Sequence, residues 1–163
     1  LDFALRQDHP VAIRYKKGDV PLSEKIDEDF VPGVKLQNEG FEALIISDGS
    51  FADECRKAAE MSKKCSIAVC NLEVLKPLNR DFIISMLDNY KAVITVEDGV
   101  VLGGFGREIA AIASESKEHC KVLNLGWPDR FIEHGTIAQL RKKYGLNAES
   151  ICAKAEEFIE AKA

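Results

Sequence analysis

The sequence has no apolar run approaching the roughly 20 residues needed to cross a bilayer, and no basic-then-apolar leader at its start. Neither a membrane span nor a secretory signal is expected. It also lacks an excess of positive charge. Its 22 Lys and Arg stand against 27 Asp and Glu, for a net charge of -5, which argues against nucleic acid as a partner. The five cysteines, Cys55, Cys65, Cys70, Cys120 and Cys152, are odd in number and form no C-x-x-C or Cys/His cluster. No disulfide framework or zinc site is indicated, and a reducing cytoplasm is the expected setting. Internal repeats and low-complexity tracts are absent too. The chain begins with Leu1 and not with Met, which raises the expectation of a longer parent polypeptide.

What is present suits one packed domain: 163 residues, 46% of them hydrophobic, are enough for a core. Three short runs, Ala43 to Ser47, Ser66 to Cys70 and Ala92 to Val96, are continuous, β-branched and bounded by turn residues, the pattern of buried parallel strands. Val122 to Leu125 is a fourth. Helical faces alternate with them: Phe51, Cys55, Ala58 and Ala59; Phe82, Ile83, Met86 and Leu87; Ile109, Ala110, Ile112 and Ala113. The alternation predicts an α/β fold of three layers, a mostly parallel sheet of about five strands with helices on both faces. Downstream, Thr136 and Gln139 form a capping box, Ile137, Leu140 and Tyr144 a stripe, and Gly145 stands where a left-handed helix end belongs. A last helix carries Ile151, Ala155, Phe158 and Ile159 on its inner face. Upstream, residues 18–33 are acidic and broken by Pro21, Pro32 and Gly33, a linker composition. The preceding "PVAIRY" (10–15) is strand-like but has no strand partners nearby.

Four stretches bear on chemistry. Gly103, Gly104 and Gly106 precede a helix, yet they follow the strand at a distance, miss the G-x-G-x-x-G spacing and have no acidic residue where a ribose would need one. A structural loop is the stronger reading. In "SDGSFAD" (47–53), Ser50 and Asp53 match a capping pattern that would consume the donors an anion needs. "PDRFIEHG" (128–135) gathers Asp129, Arg130, Glu133 and His134, a mixture suited to acid/base work, but without a nucleophile. Arg14 and Lys17, in "RYKKG", offer charges suited to a phosphate, and a solvated interdomain stretch fits them equally well.

The stretches "PVAIRYKKG", "LEVLKPLNRDFI", "AVITVEDGVVLGGFGREIA" and "LNLGWPDRFIEHGTIAQLRKKYGL" together resemble, in order and spacing, the C-terminal region of the 1-deoxy-D-xylulose-5-phosphate synthase family, within the thiamine-diphosphate transketolase superfamily. The resemblance covers about residues 9 to 151. It implies that residues 1–18 are the tail of a pyrimidine-binding domain, 19–33 a linker and 34–163 the transketolase C-terminal domain. It further implies a full-length cytoplasmic transferase, a homodimer, that joins pyruvate to D-glyceraldehyde 3-phosphate with loss of carbon dioxide. Thiamine diphosphate and Mg²⁺ would sit in the preceding domains, so this segment would bind neither and carry no catalytic residue. Where the family has R-Y-P-R-G, this chain has Arg14-Tyr15-Lys16-Lys17-Gly18, which puts Lys17 in the place of a phosphate-binding arginine. Lys keeps the charge and loses the bidentate fork. Glu73 stands where the family commonly has an arginine. These departures leave two alternatives open: a transketolase-like enzyme with another acceptor, and a freestanding flavodoxin-like ligand-binding module.

Overall fold

The computed structural model describes residues 1–15, 34–115 and 120–161. The chain divides into two units, Leu1–Pro32 and Gly33–Ala163. The described part of the first unit contains one helical turn, α1 (Asp2–Leu5), followed by extended chain. Residues 11–15, strand-like in sequence, form no strand, because a strand needs a neighbour to take its backbone hydrogen bonds and none lies within this unit's described residues. Leu5, Val11, Ile13 and Tyr15 are exposed. Arg14 lies in this exposed stretch, whereas Lys17 and the expected linker at 19–33 fall outside the described residues.

The second unit runs β1 (Val34–Asn38), β2 (Ala43–Ser47), α2 (Ala52–Met61), β3 (Ile67–Leu72), α3 (Arg80–Leu87), β4 (Ala92–Val100), α4 (Phe105–Glu115), β5 (Lys121–Trp127), α5 (Ile137–Tyr144) and α6 (Ala148–Glu160). Its five-stranded sheet has the order β1-β3-β2-β4-β5. The β2, β3, β4 and β5 strands are parallel, and β1 pairs antiparallel with β3 at the edge. The α/β reading is thereby borne out, with β1 added. No strand is evident there in the sequence because Val34 and Leu36 alternate with Lys35 and Gln37 over only five residues, a short half-polar pattern that an edge strand permits.

Strand side chains alternate between faces, and each face has its own helices. Ala43, Ile45, Val69, Ile94 and Val96 pack with Phe51, Cys55 and Ala58 around α2 and with Ile151 and Ala155 of α6. Leu44, Ile46, Ala68, Cys70 and Val93 pack with Ile83 and Leu87 of α3 and with Ile109, Ile112 and Ala113 of α4. Burial on both sides explains why these strands read as continuous apolar runs.

Helix ends account for much of the local order. The Thr136–Gln139 capping box forms, and Gly145 closes α5 at φ 66°, a left-handed value that glycine takes without a Cβ penalty. Asn79 caps α3 through Phe82 N–H. Ser50 does not cap α2: that position belongs to Phe51, and no side chain serves it. The helix starts one residue later than the Ser50/Asp53 pattern predicts, which leaves Ser50 inside the turn, where its own N–H donates to Asp48 Oδ1 at 3.1 Å. Two glutamates join α2 to α6. Glu54 Oε2 accepts from Ala148 N–H at 2.8 Å, and Glu156 Oε1 accepts from the Ser62 hydroxyl and from Lys63 and Lys64 N–H.

Candidate functional site at the carboxyl end of the sheet

From β2 the chain leaves over one face through α2, and from β4 it leaves over the other through α4. The gap between the carboxyl ends of β2 and β4 is therefore the topological switch point, where doubly wound sheets hold their ligands. Here it is bridged by the protein's own side chains. Asp48, just past β2, accepts from Asp98 N–H at 2.8 Å as well as from Ser50 N–H. Asp98 in turn accepts from Trp127 Nε1 at 2.8 Å. On either side lie two more polar pairs, Ser47 Oγ on Asn71 Oδ1 and Thr95 Oγ1 on Asn124 Oδ1.

The glycine loop gains its meaning from Glu97, which in sequence reads as an ordinary charged residue after a strand. This carboxylate is 3% exposed, and its Oε2 accepts from Phe105 N–H at 3.1 Å. Phe105 opens α4, so the positive end of the helix already faces a carboxylate. A Cβ on Gly104 would overlap the Glu97 carboxylate, and a Cβ on Gly106 would overlap Thr95 Oγ1. The glycines let the helix start pack onto buried polar side chains of the sheet. That use differs from the phosphate cradle, in which the N–H groups stay open to a ligand. The signal in sequence was a glutamate directly following the buried run from Ala92 to Val96.

The "PDRFIEHG" stretch is brought together with α5. Glu133 is bound by Lys143 Nζ and accepts from the Tyr144 hydroxyl at 2.5 Å. Trp127 meets the Tyr144 ring edge-on at 5.6 Å, and the Arg130 guanidinium lies 5.4 Å from the centre of that ring. The hydrogen bond from Lys143, then that from Tyr144, lowers the Glu133 pKa to about 2. A carboxylate held ionised in this way serves as a clamp and is poorly suited to exchange protons near neutrality. Because its folded pKa lies below the ordinary 4.5, the clamp stabilises fully above that value and is lost as pH falls toward 2. Glu133→Gln is accordingly expected to remove one acid step from the fluorescence of Trp127, the sole tryptophan. Identical acid titrations of wild type and variant would show that the clamp does not hold this loop.

All five cysteines are free. Burial pushes the Cys70 thiol up to about 12 and raises Cys55 as well, so both act as core side chains and not as nucleophiles. Among the described residues, no group of three His, Cys, Asp or Glu is placed to hold a metal ion, and no helix is long and apolar enough to cross a membrane. Glu73 is exposed.

The sheet order, with helices packed on both faces, defines a three-layer α/β domain. The family model described as "Transketolase, C-terminal domain" matches residues 33–151, and the chain belongs to that family. Within it, the chain is similar to proteins named 1-deoxy-D-xylulose-5-phosphate synthase. It is 36% identical to the one from Clostridium tetani, over 93% of this chain and 25% of that protein. It is 39% identical to the one from Caldanaerobacter subterraneus subsp. tengcongensis, over 88% of this chain and 24% of that protein. The chain thus spans about a quarter of the length of these curated relatives. A solved structure described as "Split gene transketolase, inactive beta4 tetramer" superposes with a TM-score of 0.77 at 28% identity, over 88% of this chain and 48% of that one.

Proposed function

We propose that this chain is the C-terminal domain of a thiamine-diphosphate-dependent 1-deoxy-D-xylulose-5-phosphate synthase, a cytoplasmic transferase that joins pyruvate to D-glyceraldehyde 3-phosphate and releases carbon dioxide. The observation that carries this reading is similarity to such synthases along nearly the whole chain. The domain's part is architectural. Asp48 accepts from Asp98 N–H at the switch point and Glu97 from Phe105 N–H at the start of α4, which supports a domain that leaves the diphosphate to other parts of the enzyme. The cofactor and Mg²⁺ belong to domains that precede residue 1 in the proposed enzyme. Residues 1–18 would be the tail of one of them, and 19–33 a linker. A homodimer, the assembly that the family resemblance implies, completes the proposal.

Arg14 and Lys17 are the residues proposed to meet the substrate phosphate. The test is turnover by the polypeptide that carries this domain, supplied with pyruvate, D-glyceraldehyde 3-phosphate, thiamine diphosphate and Mg²⁺. Lys17→Ala should raise the KM for the aldehyde about tenfold, as loss of one charge-assisted hydrogen bond does, while the KM for pyruvate holds. Unchanged kinetics would remove Lys17 from the phosphate site. The departures at Lys17 and Glu73 favour one second reading, an enzyme of the same class with another acceptor. Product from a different aldehyde or keto acid, with none from this pair, would establish it.

A further inference from the structure

Cys65 and Cys152 lie far apart in the chain and are brought together by the fold. Cys65 stands in the turn between α2 and β3, where the Ser62 hydroxyl lies 3.2 Å from its Sγ. The same hydroxyl donates to Glu156 Oε1 at 3.1 Å, and Lys63 and Lys64 N–H donate to that oxygen too. Cys152 precedes Glu156 by one turn of α6, so the two side chains share a helix face. Cys152 also lines a surface groove with Met61, Lys63, Lys64 and Glu156, and Cys65 packs against the core cluster to which Cys152 belongs. The residues that flank one thiol are thus the residues that surround the other.

Their surroundings set when they can react. Burial raises the pKa of both thiols, and the Glu156 carboxylate adds to it in each case. Thiol exchange runs through the thiolate, so a reducing compartment keeps the pair reduced and a reaction needs an accumulated oxidant. Access differs between the two. Cys65 is partly exposed, whereas Cys152 is buried at the edge of the groove, which makes Cys65 the sulfur that an oxidant meets first.

We propose that Cys65 and Cys152 form a reversible disulfide that staples the start of β3 to α6 when low-molecular-weight disulfides such as oxidised glutathione accumulate. The Cys65 thiolate attacks one glutathione sulfur, the glutathione S–S bond breaks, and a mixed disulfide forms on Cys65 as one glutathione thiolate leaves. The Cys152 thiolate then attacks the Cys65 sulfur and expels the second glutathione. Two protein thiols are oxidised, one glutathione disulfide is reduced to two thiols, and the two protons pass through solvent to the leaving thiolates. The staple stands apart from the synthase reading, because no substrate or cofactor takes part.

The chain equilibrated with oxidised glutathione, quenched with acid and denatured gives the test through its thiol count, and non-reducing proteolysis with mass spectrometry locates the bond. The count should fall from five to three, with the Cys65 and Cys152 peptides joined, and excess reduced glutathione should restore it. Because the bond constrains the unfolded chain, the oxidised wild type should melt about 5–10 °C above the reduced form. Cys65→Ser and Cys152→Ala should each lose that shift, and comparing each variant oxidised with itself reduced separates the bond from any defect of folding. Five thiols after oxidation, a bond between another pair, or a mixed disulfide that stays on Cys65 would overturn the proposal. A joined pair whose melting temperature fails to rise would overturn it too, since the bond would then distort the fold it is meant to staple.

Discussion

Replacing Gly40 with alanine should cost about 4 kcal/mol and bring the domain close to unfolding, given the usual margin of about 5–15 kcal/mol. Gly40 is buried just ahead of β2. A Cβ there would overlap the backbone of β3 at Ile67 and Ala68, and would sit 2.8 Å from the Ile67 carbonyl oxygen. Neither side can give way cheaply. Phe41 N–H donates to Ser66 Oγ, Glu42 and Ala43 N–H donate to the Ser66 carbonyl, and Ser66 N–H donates to Glu42 Oε2 at 2.8 Å. Ala43 then pairs with Ile67 as the first rung of the parallel ladder. Moving the new methyl group clear means breaking that network, an overpacking cost at its upper end because the obstacle is backbone. Gly49 provides the contrast. Its φ is 82°, but nothing lies within 4 Å of an added Cβ, so Gly49→Ala should cost about 1 kcal/mol, the conformational penalty alone. Urea denaturation of the two variants, with unchanged slopes, measures both. Equal losses would mean that β3 moves aside and that the contact at Gly40 does not limit stability.

The second large effect is a coupling. Glu97→Ala should destabilise by about 2–3 kcal/mol, because Phe105 N–H loses its acceptor in a buried setting and the departed side chain leaves a void. Gly104→Ala in the wild type should cost a comparable amount, since the new Cβ would land on the Glu97 carboxylate. In the Glu97→Ala background that obstacle is gone: the three atoms nearest a Gly104 Cβ all belong to Glu97. The double variant should therefore be no less stable than Glu97→Ala alone to within about 0.5 kcal/mol, an interaction energy of about 2 kcal/mol between the two sites. Additive losses would refute the view that these glycines exist to seat α4 on a buried carboxylate.

That coupling also shows where reading the residues alone stops. The glycine loop was legible as a loop ahead of a helix because its spacing fails the dinucleotide pattern, and the structure seats it on Glu97 and Thr95. Its reason was not legible, since Glu97 reads in sequence as an ordinary charged residue after a strand. Only the return of the chain from β4 into α4, beside β5, turns that carboxylate inward. Glu133 is similar. A cluster of Asp129, Arg130, Glu133 and His134 invites an acid/base reading, and what sets it aside is the position of Lys143 and Tyr144, one helix further on. For Ser50 the capping pattern was genuine in form but lost to Asp48, whose carboxylate reaches both Ser50 and Asp98 N–H.

The sequence by itself determined the features that depend on near neighbours or on burial as such. These are the apolar runs of β2, β3 and β4, the helical faces at 3.6-residue spacing, the Thr136–Gln139 box and the left-handed turn at Gly145. Each follows from local sterics, from hydrogen bonds a few residues apart, or from exclusion of apolar side chains from water, all of which act before strands find their order. The tertiary structure alone decided that β1 closes the sheet antiparallel, that Asp48 and Asp98 bridge the switch point, and that Glu97 fills the glycine loop. It also decided that Cys65 packs against the cluster that holds Cys152. Those outcomes depend on which strand lies beside which, and a polar side chain's role is set by the partners that strand order brings within hydrogen-bond reach.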